Sequence, residues 1–270
     1  MTDLTVALAQ MRCEKGDWSG NLARTAQYMA EARTAGAHVA VFPEMGLSGY
    51  CDPARFPDAV QTLDSPWIRQ FVALTAEHGI AASGGFIETN PGGKPFVTQI
   101  LAQEGHLVGV YRKNHVVDEE AEWFSPGRET PVFPLRTPDG EVPCALAICA
   151  DSDRPDLFAA FARQGARVVL HSSAPGLYTR CSTPGDWQAG FDWYTGHVAE
   201  RLPVYAREQG LFIVVATQTG ATVDEDFPGG TFAFGPTGEC LARAPDYGET
   251  LLIISLRLAG RHTPGAGRTS

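Results

Sequence analysis

Gly36-Ala37-His38-Val39-Ala40-Val41-Phe42-Pro43-Glu44 runs from a glycine through a valine-rich stretch to a proline and a carboxylate. The segment before it, Asn21 to Arg33, returns apolar residues at helical spacing among charged ones. The nonamer therefore reads as the glycine stop of an amphipathic helix, a buried strand, and a charged residue delivered from the strand end. A second stretch, Gly165-Ala166-Arg167-Val168-Val169-Leu170-His171-Ser172-Ser173, lines up with it and follows its own helical segment, Pro155 to Arg163. Two such units predict an α/β fold with two related halves, in which Glu44 and Ser173 leave equivalent strand ends near a common cleft. The same match would arise from any succession of helix, glycine and buried strand, because Gly is the usual helix C-cap and valine suits a buried strand.

Working outward, further apolar runs predict strands at Thr5 to Gln10, Ile80 to Ile87, Val97 to Ala102, Leu107 to Tyr111, Cys144 to Cys149, Leu211 to Ala216 and Thr250 to Ser255. Helices are expected at Trp67 to His78 and Val198 to Gln209 as well. Pro and Gly punctuate the chain evenly, so residues 1–258 are expected to form one domain. Residues 259–270, rich in Gly, Pro, Arg and Ser without periodicity, are expected to be a flexible tail.

A net charge of -10 with scattered basic residues argues against nucleic acid as a partner. No basic stretch followed by an apolar run opens the chain, and no apolar segment is long enough to span a bilayer, so a cytoplasmic protein without a membrane partner is expected. The six cysteines, Cys13, Cys51, Cys144, Cys149, Cys181 and Cys240, are widely spaced in a chain without an export signal, which predicts free thiols. With no CxxC and no zinc-like His spacing, no metal and no cofactor are expected.

Three residues stand where chemistry could be done. Cys149 ends the run Cys144-Ala145-Leu146-Ala147-Ile148 and precedes Ala150-Asp151-Ser152-Asp153-Arg154-Pro155, with Pro155 at the first helical position and Ser152 or Asp153 as cap. A thiol on such a turn lies near backbone N–H groups and the positive end of a helix, which favours a thiolate and offers donors to an oxyanion. Most cysteines at strand ends are packing, so Cys149 needs partners. Glu44 emerges from apolar surroundings that raise its proton affinity, as a general base requires, although a lone glutamate more often caps a helix or pairs in a loop. Lys113, in Val110-Tyr111-Arg112-Lys113-Asn114-His115, could pair with Glu44 or stabilise an oxyanion, or could be an ordinary edge-strand charge.

Phe-Pro-Glu at Glu44, Tyr-Arg-Lys at Lys113 and Ile-Cys-Ala-Asp at Cys149, in this order and each after a strand, together resemble the nitrilase superfamily of carbon-nitrogen hydrolases. Phe124-Ser125-Pro126-Gly127, Gly229-Gly230-Thr231-Phe232 and Gly235-Pro236-Thr237-Gly238-Glu239 extend the resemblance, which runs from about Thr5 to Ser255. It implies a four-layer α-β-β-α sandwich, assembly as a homodimer or larger homo-oligomer, and a Glu44-Lys113-Cys149 triad. It also implies a second glutamate, for which the distance to Pro126-Gly127 selects Glu120 over its competitors Glu119 and Glu122. The expected reaction is hydrolysis of a non-peptide C–N bond in a small amide or carbamoyl compound through a cysteine thioester. Cys149-Ala150-Asp151 resembles the amidase branch more than the true nitrilases, which carry Trp-Glu there. Nitrile hydrolysis, acyl transfer and noncatalytic small-molecule binding are the alternatives. Tyr50, Ala150, His171, Ser173 and Trp187 are the candidates for binding the substrate.

Overall fold

The computed structural model describes residues 2–178 and 180–258. The first half contains β1 (Thr2–Gln10), α1 (Trp18–Thr34), β2 (Val39–Val41), β3 (Val60–Gln61), α2 (Pro66–Glu77), β4 (Ala81–Glu88), β5 (Phe96–Gln103) and β6 (His106–Arg112). A short helix α3 (Glu120–Trp123) leads to β7 (Val132–Thr137), β8 (Gly140–Ile148), α4 (Pro155–Arg163), β9 (Val168–Ser173), α5 (Pro184–Gln209) and β10 (Phe212–Thr217). A ribbon of β11 (Thr219–Ala221) and β12 (Asp226–Pro228) precedes β13 (Phe232–Phe234), β14 (Cys240–Arg243) and β15 (Thr250–Leu258).

One sheet runs β15-β1-β2-β4-β5-β6, with β3 beside β4, and the other runs β14-β13-β10-β9-β8-β7. Followed from β15 and from β7, both show the same pairings in turn: antiparallel, parallel, parallel, antiparallel, antiparallel. In this shared order β2 and β9 are each third, and they carry the two matching stretches of sequence. The crossovers β1-α1-β2 and β8-α4-β9 are the same parallel unit used twice.

The sheets stack face to face, with α1 and α2 outside the first and α4 and α5 outside the second, which makes the α-β-β-α sandwich. Strand alternation builds the two interfaces of the first sheet. Leu4, Val6 and Leu8 of β1 join the core shared with the second sheet, whereas Ala7, Ala9 and Met11 face the layer of α1 and α2. Val39 and Val41 against Ala40, and Ile87 against Phe86, divide in the same way. Both faces are buried, so these strands read as continuous apolar runs.

Two expectations need correction here. The last long helix begins at Pro184, not Val198, because Thr183 accepts from the Asp186 N–H and Asp186 accepts from the Thr183 N–H in a reciprocal cap. The segment holding Trp187 is therefore helical. Neither Ser152 nor Asp153 caps α4: Cys149–Asp153 forms a 3-10 turn and Arg154 occupies the cap position without a side-chain bond. The unanticipated β7 contains Pro134, whose missing donor is tolerated because β7 is the edge of its sheet. The tail expected at 259–270 lies outside the described residues.

Leu8, fully buried between the sheets, provides a test of this packing. Leu8→Ala should lower the unfolding free energy by roughly 2–5 kcal/mol, read as a lower urea midpoint with unchanged m-value; a loss below about 1 kcal/mol would mean that the interface collapses around the void.

Candidate active site

Three strand ends converge. Glu44 follows β2, Lys113 directly follows β6 in the same sheet, and Cys149 directly follows β8 in the other. Cys149 has φ 42°, in the left-handed region, and Met45, Asp118 and Tyr178 nearby have φ of 47°, 48° and 55°. Among the described residues only Glu104 is a further non-glycine of this kind. Such backbone costs on the order of 1–3 kcal/mol per residue, so its concentration here marks a region that the surrounding fold holds in place.

Lys113 is buried, and its Nζ donates to Glu44 Oε1 at 2.8 Å and to both carboxylate oxygens of Glu120 at 2.7 Å. The Tyr50 hydroxyl donates to Glu120 Oε1 at 3.0 Å, and the Ala174 N–H donates to Glu44 Oε2 at 3.0 Å. Burial pushes Glu44 up to about 7, against the pull of the Lys113 ammonium, with the Glu120 charge adding to the rise. Burial disfavours the Lys113 cation, but the Glu44 and Glu120 carboxylates prevail and hold it well above the ordinary lysine range. The result is a fixed ammonium beside a carboxylate of intermediate basicity.

Gly127 anchors this arrangement. Its N–H bonds the Lys113 carbonyl at 2.7 Å, and a Cβ there would lie 2.3 Å from the Arg112 carbonyl oxygen. That close approach requires glycine and accounts for the fixed spacing between Lys113, Glu120 and Pro126-Gly127. Glu122 is exposed and Glu119 is half-buried at the cavity.

Cys149 faces the same cavity. Burial, then the Glu44 charge, push its thiol well above the ordinary range, with Lys113 opposing and the Ala174 N–H hydrogen-bonded to it. These surroundings favour the thiol form, whereas Lys113 and the turn favour the thiolate. Behind it, His171 Nε2 donates to the Cys149 carbonyl at 3.2 Å, leaving Nδ1 to accept from the Ser173 hydroxyl at 3.3 Å. Burial lowers His171 to about 4, so the ring is neutral.

The cavity over Cys149 measures about 170 Å³, small beside the roughly 300–1,000 Å³ of pockets for drug-sized ligands. Tyr50 and Ala150 line it, as expected. His171 and Ser173 do not, because they are buried in the sandwich behind Cys149. Trp187 does not either: it stacks on Tyr247 with ring centroids 5.8 Å apart. Its place is taken by Trp193 and Tyr194 farther along α5, with Tyr178 and Glu225 forming another part of the wall. Glu225 accepts from Lys15 Nζ at 3.0 Å and from the Tyr178 N–H at 3.3 Å, and so fixes that wall. The cap Thr183-Pro184-Gly185-Asp186 was the sequence signal for these missed helix residues. Among the described residues no group of three or more His, Cys, Asp or Glu is disposed to hold a metal ion.

The family model for carbon-nitrogen hydrolases matches residues 5–262. The chain is 27% identical over 273 residues to the N-carbamoylputrescine amidase of Arabidopsis thaliana, covering 95% of this chain and 87% of that protein. It is 26% identical to the (R)-stereoselective amidase of a Pseudomonas species, covering 89% and 81%. Among solved structures, a glutamate-to-glutamine mutant of the amidase from Nesterenkonia sp. AN1 superposes with a TM-score of 0.77 at 25% identity, covering 94% of this chain and 90% of that one. That structure shows covalent addition of the acetamide moiety of fluoroacetamide at the active-site cysteine.

The buried charges make a prediction of their own. Lys113→Met leaves Glu44 and Glu120 facing each other without a counter-charge, and should cost roughly 3–5 kcal/mol near pH 8. Glu44 already sits at about 7, above its ordinary value, and loses the ammonium that pulls it down. A carboxyl raised in the folded state contributes stability below its unfolded pKa, and that contribution is lost as pH rises through the folded value. The deficit against wild type should therefore shrink as pH falls from about 8 towards 5, measured by urea unfolding at each pH; a pH-independent deficit would contradict the charge assignment.

Proposed function

The chain belongs to the carbon-nitrogen hydrolase family, and on that premise we propose how its residues divide the hydrolysis of a small amide or carbamoyl compound. The observation that carries the reading is the buried Glu44-Lys113-Glu120 array beside a thiol on a left-handed turn at the floor of a cavity.

Glu44, poised near 7, takes the Cys149 proton as the sulfur attacks the carbonyl carbon. The carbonyl π electrons move to oxygen, and the oxyanion is met by Lys113 Nζ and the Ala150 N–H. Collapse breaks the C–N bond, with the proton passing from Glu44 to the departing nitrogen, and a thioester remains on Cys149. Glu44 then takes a proton from water as its oxygen attacks the thioester, and the second collapse releases the acid and returns the proton to sulfur. Glu120 holds the ammonium charged and aimed. Because Glu44 takes one N–H and Glu120 straddles the ammonium, no more than one N–H is left for the substrate.

The substrate is proposed to be short and neutral or cationic at its far end. Asp118, Glu119 and Glu225 line the cavity, and Lys113 is its one lysine or arginine among the described lining residues. A carboxylated substrate would meet like charge there. The carbamoylated amine named for the Arabidopsis relative is of the favoured kind.

We further propose that residues 1–258 act as one catalytic domain, since both sheets contribute to the site. Assembly as a cytoplasmic homo-oligomer is part of the same reading. No described helix is long and apolar enough to cross a membrane, and Trp193, 53% exposed beside the cavity, is apolar surface that a second copy would cover.

The experiment is ammonia release from a panel of small amides. Cys149→Ala should be inactive while folded, and Glu120→Gln should lose more than about tenfold in kcat, roughly 1.4 kcal/mol of barrier. Glu122→Gln should stay near wild type. Turnover surviving in Cys149→Ala would sink the mechanism, and equal losses at Glu120 and Glu122 would remove Glu120 from it.

A further inference from the structure

Asp151, two residues past Cys149, is a fully buried carboxylate that the reaction above does not use. Its Oδ2 accepts from the Tyr111 hydroxyl at 2.7 Å and from the Ile148 N–H at 2.9 Å, and its Oδ1 accepts from the His115 N–H at 2.9 Å. Tyr111 and His115 stand two residues either side of Lys113, and Ile148 directly precedes Cys149. One carboxylate thus ties the segment that bears the ammonium, leaving the first sheet, to the turn that bears the thiol, leaving the second.

The two sheets otherwise meet mainly through apolar side chains. Hydrophobic contact is non-directional and sets their spacing better than their register. Three hydrogen bonds to one charged group are directional and strong. Misplacing a reacting group by about 1 Å can cost roughly a hundredfold in rate, so this tie acts where tolerance is smallest.

We propose that Asp151 is a positioning residue that keys Lys113 to Cys149, so that the ammonium faces the oxyanion formed on the carbonyl that Cys149 attacks. The inference rests on the roles proposed above for Lys113 and Cys149. An asparagine at 151 cannot reproduce the tie, because its NH2 must replace an acceptor either at His115 or at Tyr111 and Ile148.

The test sets two reactions of the same sulfur side by side. Amide hydrolysis passes through an oxyanion and needs Lys113 in register, whereas alkylation of Cys149 by iodoacetamide is displacement at a saturated carbon and builds none. In Asp151→Asn, kcat should fall at least about tenfold with KM within about threefold, while Cys149 alkylation, followed by peptide mass spectrometry to separate it from exposed Cys240, stays within about threefold of wild type. Tyr111→Phe removes one donor of the three and should show the same split to a smaller extent; it decides the matter if Asp151→Asn does not fold. Loss of both reactions together, or unchanged turnover in Tyr111→Phe, overturns the proposal. Cys149→Ala, run alongside, separates the two levels: turnover surviving there overturns the role of Cys149 itself, whereas a dead Cys149→Ala beside a fully active Asp151→Asn overturns the role of Asp151 alone.

Discussion

A lysine ammonium held in the interior between two carboxylates is the constraint on which this site depends. Lys113 bonds Glu44 and Glu120 at 2.7–2.8 Å with almost no solvent contact. An isolated charge could not be buried there, and the three together are tolerable because each answers another. The same burial gives the groups their chemical use. It lifts Glu44 into the range where a carboxylate can both take and return a proton near neutrality, and it keeps Lys113 cationic. The same burial favours the thiol form of Cys149, against the pull of Lys113.

That arrangement spans two sheets, and the fold supplies ties between them. The Ser172 hydroxyl donates to the Phe42 carbonyl at 2.8 Å, the Ala174 N–H reaches Glu44, and Asp151 joins the Lys113 and Cys149 segments. Ser172 and Phe42 lie on or beside β9 and β2, the corresponding strands of the two halves. The repeated crossover thus brings two equivalent strand ends together, one giving the carboxylate and the other the backbone donor that orients it. Backbone strain gathers at the same place, at Met45, Asp118, Cys149 and Tyr178, as expected where sites are held rigidly against local preference.

Much of this was legible in the chain because of double-sided burial. Strands covered on both faces become valine-rich runs, and a charged residue or thiol at the end of such a run is conspicuous, which is how Glu44, Lys113 and Cys149 emerge. Glu120 was selected through the resemblance, by its distance to Pro126-Gly127, a loop that the Gly127 N–H on the Lys113 carbonyl holds in place. The cavity wall was not legible. Trp187 and Trp193 sit on one helix six residues apart, which turns them by roughly 240° relative to each other, so only packing decides which faces the site. The start of that helix was obscured by Gly190 and Gly196 inside it, each a poor helix former. His171 and Ser173, expected to bind the substrate, lie behind the nucleophile instead, because proximity of a strand end does not say on which side of the cysteine a side chain falls.

In the proposed mechanism, Cys149 carries the acyl group of an amide with the help of Glu44 and Lys113. The most direct measurement is peptide mass spectrometry of the wild-type protein, acid-quenched during turnover of a small amide, beside Glu44→Gln, which lacks the group that both takes the Cys149 proton and activates water. An acyl mass increment confined to the peptide containing Cys149 is expected in the wild type, and none in Glu44→Gln. An increment on another residue, or ammonia release by Glu44→Gln at a rate near wild type, would contradict these roles.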